Sequence, residues 1–351
     1  AAVAVAGLTN VNAASLEESI KGVDISGAVR YRMEHLSNAQ EDQDVNIDVK
    51  IKVPVNENVT FVANANFDDD NQEAQVAHTA TTAATNGTAS DSSGTLDQYY
   101  FQYTNGAVTA MVGTQNIPGR LTDAEQGSGA VVLYNFGGFT VGAASMYNND
   151  VISEQLNSVI AMGTVGPVSL LGQYVDIADA ATAYNLTVDA SVGPVMIGAE
   201  YSEVELDVNH PSYAVATADD RSTAKAYLSA KAGMFSGKVT YAETGDNGSG
   251  QLDASTETAS ELLLWQLGTS GNADMDMVLV DASVAVTPAI SLRAAYADAE
   301  IGTVDHSELL GQVSYQMSKN LNTYVRVSSY DNGVAATDDS ERVRVEARYS
   351  F

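Results

Sequence analysis

Residues Glu341 to Phe351 read ERVRVEARYSF. Val343, Val345, Ala347, Tyr349 and Phe351 fall on one side of an extended chain, and Arg342, Arg344, Glu346, Arg348 and Ser350 fall on the other. That is the period-two pattern of a strand with two different surroundings. Three arginines facing a protein core would each need a partner, because an unpaired buried charge is very costly. Water suits that face better, which leaves the apolar face pointing outward. An apolar outside with a wet, charged inside is the pattern of a transmembrane β-barrel strand.

The composition of the 351 residues agrees. Leu, Ile and Met are scarce beside Ala, Val, Thr, Ser, Asn, Gly and Tyr, a balance that favours strands and turns over helices. No uninterrupted apolar run reaches the length of a membrane-spanning helix. A barrel is the other architecture that leaves no backbone polar group unpaired in a bilayer. With no cysteine, disulfides and Cys-based zinc sites are excluded, and a formal charge of −29 argues against nucleic acid as a partner, since phosphate binding needs a basic surface. Ala1 to Ala13 form an apolar stretch closing on Val11-Asn12-Ala13, which predicts an export leader cleaved after Ala13. The alternative is an N-terminal strand or short helix kept in the mature chain. Export implies a cell-envelope protein, with residues 14–351 as a single barrel domain.

Moving along the chain, Val23 to Glu34 alternates with Ile25, Val29, Tyr31 and Met33 against Arg30, Arg32 and Glu34. Val45 to Val53 alternates in the same way against Asn46, Asp48, Lys50 and Lys52, and Val59 to Asp68 returns after Pro54 to Asn58. Beyond that point, connections alternate between long and short. Asp69 to Thr95 and Asn116 to Gly129 are long; Asn105-Gly106, Gly137-Gly138, Gly166-Pro167, Gly193-Pro194, Gly233-Met234, Thr287 to Ala289 and Ser318 to Asn320 are short. Eight hairpins plus a first and a last strand predict an antiparallel transmembrane β-barrel of about eighteen strands, sixteen being the fallback. Short periplasmic turns and long extracellular loops are the rhythm of such barrels. Four of the six prolines (Pro54, Pro167, Pro194 and Pro288) lie in the short turns, and none lies where it would interrupt a ladder. Glu261 to Thr269, ELLLWQLGT, is the one Leu-rich patch and holds the only Trp. It reads as a loop insert packed as a helical turn or a hydrophobic tuck, or else as a nineteenth strand-like segment.

Charge placement carries the functional reading. Twelve of the sixteen Lys and Arg fall on inward positions: Arg30, Arg32, Lys50, Lys52, Lys225, Lys231, Lys238, Arg293, Arg326, Arg342, Arg344 and Arg348. A charge on the lipid face at mid-depth costs about 2–4 kcal/mol, so strand charges belong in the lumen. Outward tyrosines near strand ends, namely Tyr31, Tyr103, Tyr147, Tyr201, Tyr241, Tyr296 and Tyr349, form an expected interfacial girdle. Acidic runs such as Glu41 to Asp44, Asp68 to Asp70, Asp219-Asp220 and Asp338-Asp339 are assigned to the long loops.

Ser15 to Arg32, SLEESIKGVDISGAVRYR, resembles the mature start of the major outer-membrane porin family of campylobacters and related epsilon-class bacteria, with its L-E-E-x-I-K-x-V-D-[VI]-S-G core and an apolar-Arg-Tyr-Arg strand. The C-terminal Phe351 with Tyr349 resembles the assembly signal of outer-membrane barrels. Membership implies an eighteen-stranded, trimeric general porin whose third extracellular loop folds into the lumen. Here that loop is Asn116 to Gly129, and Leu121-Thr122-Asp123-Ala124 is similar to the family's constriction segment. The chain is shorter than typical members and its loops differ.

Closing the barrel makes the last two strands neighbours of the first two. Arg326, Arg342, Arg344, Arg348, Arg30, Arg32, Lys50 and Lys52 then share one inner wall, tempered by Glu346 and Asp48, and the inward loop offers Asp123, Glu125 and Arg120. Facing charges of this kind orient polar solutes and set ion preference, or they pair with loop carboxylates and hold the loop down. Acidic mouths concentrate cations. The expected function is a general diffusion porin for small hydrophilic solutes and ions, mildly cation-preferring, without catalysis or cofactor. Its surroundings would be the bacterial outer membrane, lipid bilayer and lipopolysaccharide. Calcium is a weak alternative at Asp68 to Asn71 or at Asp123 with Glu125. The rivals are a barrel enzyme and a surface adhesin. His35, His78, His210 and His306 all fall in or near loops, but no Gly-x-Ser-x-Gly or His-Glu-x-x-His motif accompanies them, and no fixed-period repeat marks an adhesin solenoid.

Overall fold

The computed structural model describes residues 22–37, 42–71, 93–210, 220–252, 258–334 and 339–351. The expected leader, most of the Ser15 to Arg32 segment before Gly22, and His78 lie outside them. Eighteen strands follow one another: β1 (Asp24–Leu36), β2 (Asp42–Pro54), β3 (Val59–Asn71), β4 (Ser93–Asn105), β5 (Val108–Asn116), β6 (Gln126–Phe136), β7 (Phe139–Asn149), β8 (Leu156–Val165) and β9 (Val168–Ile177) form the first half. The second half is β10 (Ala181–Val192), β11 (Val195–Leu206), β12 (Asp220–Ala232), β13 (Phe235–Thr244), β14 (Met275–Ala285), β15 (Ile290–Ile301), β16 (Val304–Gln316), β17 (Leu321–Asp331) and β18 (Ser340–Ser350). Each strand pairs antiparallel with its neighbours in sequence, and β1 pairs with β18, so the sheet has no edge.

The period-two pattern decides which face looks out. Val29, Tyr31 and Met33 on β1, Val343, Val345 and Tyr349 on β18, and Val278, Val280, Leu292 and Tyr296 on β14 and β15 are exposed on the outer wall. All seven girdle tyrosines are exposed, and Tyr134, Phe136, Phe235 and Tyr315 form a further exposed set at the turn end. Strands of up to thirteen residues exceed the nine to eleven that a bilayer requires. The surplus stands clear at the loop end, where Glu205, Glu243, Asp276, Asp298, Glu300 and Asp305 are exposed on the same outer face. Asp276 sits directly across from both Glu243 and Glu300. Like charges so opposed are unfavourable and are tolerated in water, not in hydrocarbon. For the same reason several acidic runs expected in loops lie on strands: Asp42 to Asp44 begin β2, and Asp68 to Asp70 end β3.

At the other end, Gly106, Gly137, Gly166, Gly193 and Gly233 adopt positive φ in two-residue turns, the conformation that a tight hairpin demands. The long-short rhythm fails at two loop-end connections. Residues 178–180 and 302–303 are as tight as the turns, with Asp179 at φ 56° and Gly302 at φ 62°. The β5–β6 connection is also shorter than read, because β6 begins at Gln126. Glu261 to Thr269 is neither helix nor strand of the barrel. It belongs to the β13–β14 connection, where Leu264 N–H donates to Leu267 O (3.0 Å) and Thr269 N–H to Leu262 O (2.9 Å), closing a small hairpin that tucks into the bore.

The seam closes on the last residue. Gly27 N–H donates to Phe351 O (3.0 Å), Phe351 N–H donates back to Gly27 O (3.0 Å), and the Phe351 ring lies over the space that a side chain at position 27 would fill. A Cβ there would also meet the Asp48 carbonyl oxygen of β2. Gly27→Leu should therefore lower the yield of closed barrel several-fold, read as the fraction of refolded protein that migrates as the compact species on unboiled gels. Gly172→Ala, on β9 with open space where its Cβ would lie, should change that fraction far less.

Candidate functional site

Two connections at the loop end fold into the bore. The first, residues 117–125 between β5 and β6, buries Ile117, Leu121 and Thr122 against the inner wall. Its apolar bed is Val131, Ala144, Met146, Leu156, Val175, Ile177, Ala183 and Val204, inward positions of β6 to β11. Polar contacts fix its path. Gln173 Oε1 of β9 accepts from Arg120 N–H (2.7 Å) and Leu121 N–H (3.0 Å), and Gln173 Nε2 donates to Thr122 Oγ1 (2.8 Å). These bonds satisfy backbone donors that burial would otherwise leave unpaired.

The second connection, residues 245–274, has its own bed. Leu262, Leu264, Trp265 and Leu267 pack on Met275, Met277 and Leu279 of β14, on Ala295, Ala297 and Ala299 of β15, and on Leu310 of β16. Glu308, wholly buried on β16, accepts through Oε2 from the backbone N–H groups of Trp265 (3.2 Å), Gln266 (2.8 Å) and Leu267 (2.9 Å). Gln266 spans the next two strands, donating to Ser328 Oγ (2.9 Å) and accepting from Ser340 Oγ (2.6 Å).

The two loops meet. Ser260 N–H donates to Arg120 O (3.2 Å), Ala259 N–H donates to Asp123 Oδ1 (2.9 Å), and the Arg120 guanidinium donates to Ala259 O. Beneath this junction stands Glu200 of β11, with Arg120 at 2.6 Å and Lys225 of β12 at 3.2 Å. Lys225 Nζ also donates to Ser260 O (2.7 Å), and Asn185 Nδ2 donates to Glu200 Oε1 (2.9 Å). A buried carboxylate shared by two cations and an amide is well satisfied, and removing it would leave both cations uncompensated.

The expected basic wall assembles on β17, β18, β1 and β2, and it is paired internally. Arg30 reaches Asp44 (2.7 Å), and Arg32 reaches Glu346 (3.3 Å) and Asp44 (3.8 Å). Arg344 reaches Glu34 (2.5 Å), which Arg342 shares from its other oxygen. Lys52 lies 3.9 Å from Asp24 near the turn end. Lys50 stands opposite Ser26 and Asn64, and Arg348 opposite Arg30 and Asn322, in the same wall. Arg326 lies across from Arg344 and donates to Gln312 Oε1 (2.7 Å).

The inward loop's charges divide. Asp123 is exposed in the bore, Arg120 turns toward Glu200, and Glu125 is buried on the wall side of the loop. The arrangement is thus a slit between a basic wall, of which Arg30, Arg32, Arg342 and Arg344 are paired with carboxylates, and two anchored loops. Glu200, Gln173 and Glu308 were not singled out from sequence. Their only signal was a polar residue on an inward position, with apolar inward neighbours on both sides of Gln173 (Leu171 and Val175), on one side of Glu308 (Leu310), and on neither side of Glu200. Among the described residues, no group of three or more His, Asp or Glu side chains is placed to hold a metal ion. His35 ends β1, His306 Nδ1 bonds the Tyr330 hydroxyl (2.9 Å) inside the barrel, and His210 meets Glu154 (3.5 Å) at the loop end, so the described histidines do not converge.

Residues 1–173 match the family model described as the Campylobacter major outer membrane protein. No curated protein matches the chain. Among solved structures, the barrel is similar to OccK3 (OpdO) of Pseudomonas aeruginosa, with a TM-score of 0.76 and 13% identity over 96% of this chain and 97% of that one. It is also similar to OpdK of the same organism, crystallised with vanillate, with a TM-score of 0.76 and 13% identity over 94% and 99%. A BenF-like porin from Pseudomonas fluorescens Pf-5 gives a TM-score of 0.74 and 14% identity over 94% and 99%. At these identities the likeness is one of fold.

Glu200→Gln should destabilise the folded barrel by about 3–5 kcal/mol, the cost of stranding a buried cation. The readout is urea unfolding in detergent micelles, and the 117–125 and 258–262 segments should become protease-sensitive before the barrel unfolds.

Proposed function

From the premise that its residues 1–173 place the chain in the Campylobacter major outer membrane protein family, which makes it an outer-membrane porin, we propose a general diffusion channel for small hydrophilic solutes and ions with a mild cation preference. The observation that carries the preference is the pairing of the inner wall. Arg30 and Arg32 are matched by Asp44 and Glu346, and Arg342 and Arg344 share Glu34, so three carboxylates offset much of the charge of these four guanidinium groups at the slit. The surplus of a chain with formal charge −29 stands at the loop end, where acidic mouths enrich cations. Asp123, exposed beside the slit, adds a negative group on the path.

The same proposal includes an export leader over residues 1–13, resting on the apolar stretch that closes on Val11-Asn12-Ala13, a homotrimer, resting on the family, and contact with lipopolysaccharide, which an outer-membrane location supports. Its fold and family favour a channel over an enzyme, and the surface-adhesin alternative gains no support from either. A second reading, a channel selective for carboxylates, is favoured by the guanidinium cluster at Arg326, Arg342 and Arg344, and the similar OpdK fold was crystallised with vanillate.

The test is single-channel conductance in planar bilayers, with the reversal potential under a salt gradient. A cation-side reversal potential is expected. Asp123→Asn should move it toward the anion side and Arg344→Glu further toward the cation side. An anion-side value in the wild type would favour the carboxylate reading.

A further inference from the structure

Three guanidinium groups of the inner wall share one aromatic ring. The Cζ atom of Arg342 lies 4.6 Å from the centre of the Trp265 indole, and those of Arg326 and Arg344 lie 5.0 Å from it. These cations have less carboxylate than they need. Arg342 and Arg344 share the single carboxylate of Glu34, and Arg326 bonds an amide, Gln312, and lies 5.1 Å from the centre of the Tyr324 ring. The negative face of the indole supplies the missing compensation.

Trp265 reaches this position from a loop and not from the wall. Its hairpin is held through backbone by Glu308 and through the side chain of Gln266. The ring packs in the apolar cluster with Leu262, Leu264 and Leu267 and turns its face to the three guanidinium groups. Nε1 is buried and has no hydrogen-bond partner among the described residues, although a buried indole N–H normally finds one. A ring placed by its π-face over a cluster of cations, and carried on a loop instead of on the wall that bears them, has the form of an internal ligand.

We propose that Trp265 is the resident occupant of a site for flat aromatic carboxylates, formed by Arg326, Arg342 and Arg344. An aromatic carboxylate offers the guanidinium groups the same ring face and adds a full negative charge, with two oxygens suited to guanidinium forks. It competes with the indole, and displacing the ring uncovers three positive charges on the inner wall. This deepens the carboxylate reading above and rests on the chain being a channel.

Benzoate is the probe, with Trp265→Phe keeping an aromatic face and Trp265→Leu keeping bulk without one. Channels are compared in planar bilayers for their potassium-to-chloride permeability ratio and for benzoate block. Heat-modifiable migration serves as the check on folding. Trp265→Phe, with its weaker ring face, should fall between the wild type and Trp265→Leu. Trp265→Leu should shift selectivity toward chloride and bind benzoate on the order of tenfold more tightly, since no ring need be displaced. Because Trp265 is the only tryptophan, its fluorescence reports displacement directly, and benzoate should shift the wild-type emission saturably. A Trp265→Leu channel with wild-type selectivity and benzoate affinity overturns the assignment, as does a wild-type emission spectrum indifferent to benzoate. Folded wild-type protein that never conducts would overturn the channel reading instead, leaving the emission titration to decide the site.

Discussion

A sheet surrounded by hydrocarbon cannot have an edge, and the rest of this molecule follows from that condition. Every unpaired backbone N–H or C=O in the bilayer core costs several kcal/mol, so eighteen strands must close on themselves. Closure here is made by β1 and β18, whose pairing runs from Ala28 opposite Ser350 to Leu36 opposite Arg342. The same constraint sorts the side chains. Lipid accepts Val, Leu, Tyr and Phe, so Arg, Lys, Asp and Glu on the strands are confined to the bore, where they must satisfy one another.

They do so in different ways around the circumference. On β18, β1 and β2 the wall is a ladder of ion pairs crossing the seam, Glu34 with Arg342 and Arg344, and Arg32 with Glu346. From β6 to β11 and from β13 to β16 the inner positions are largely apolar, because loops lie on them. Within those apolar beds, single carboxylates act as fasteners. Glu200 draws Arg120 from one loop and Lys225 from the wall, and Glu308 receives three consecutive backbone N–H groups. Each anchor uses a buried charge that would be a liability if its partners left.

How much of this was legible depended on how many surroundings a segment has. Strands such as β1, β2 and β18 have water on one side and lipid on the other, so Arg342 to Phe351 alternate cleanly and could be read directly. Strands under the loops have apolar neighbours on both faces. Met275, Met277 and Leu279 point in while Val278 and Val280 point out, so period two fades along β14. The strand number and the basic wall were recoverable because they rest on alternation and on turn residues. The path of the second inward loop was not, since its docking depends on contacts between Glu308 and Trp265 to Leu267, far apart in sequence. Leu-rich composition flagged Glu261 to Thr269 as unusual without saying where it would lie. The tight connections at 178–180 and 302–303 were missed for a simpler reason. A two- or three-residue turn carries the same signal at either end of a barrel.

The junction of the two inward loops has a mechanical consequence. One loop is tied to β9 through Gln173 and to β11 through Glu200; the other is tied to β12 through Lys225, to β16 through Glu308, and to β17 and β18 through Gln266. Joined at Arg120, Asp123, Ala259 and Ser260, they form a brace from one side of the cylinder to the other. A wide, hollow tube is easily flattened by lateral pressure from the surrounding lipid. With a strut across its diameter, its cross-section is fixed from within, and the aperture beside the strut keeps its dimensions when the bilayer around it is squeezed or thinned.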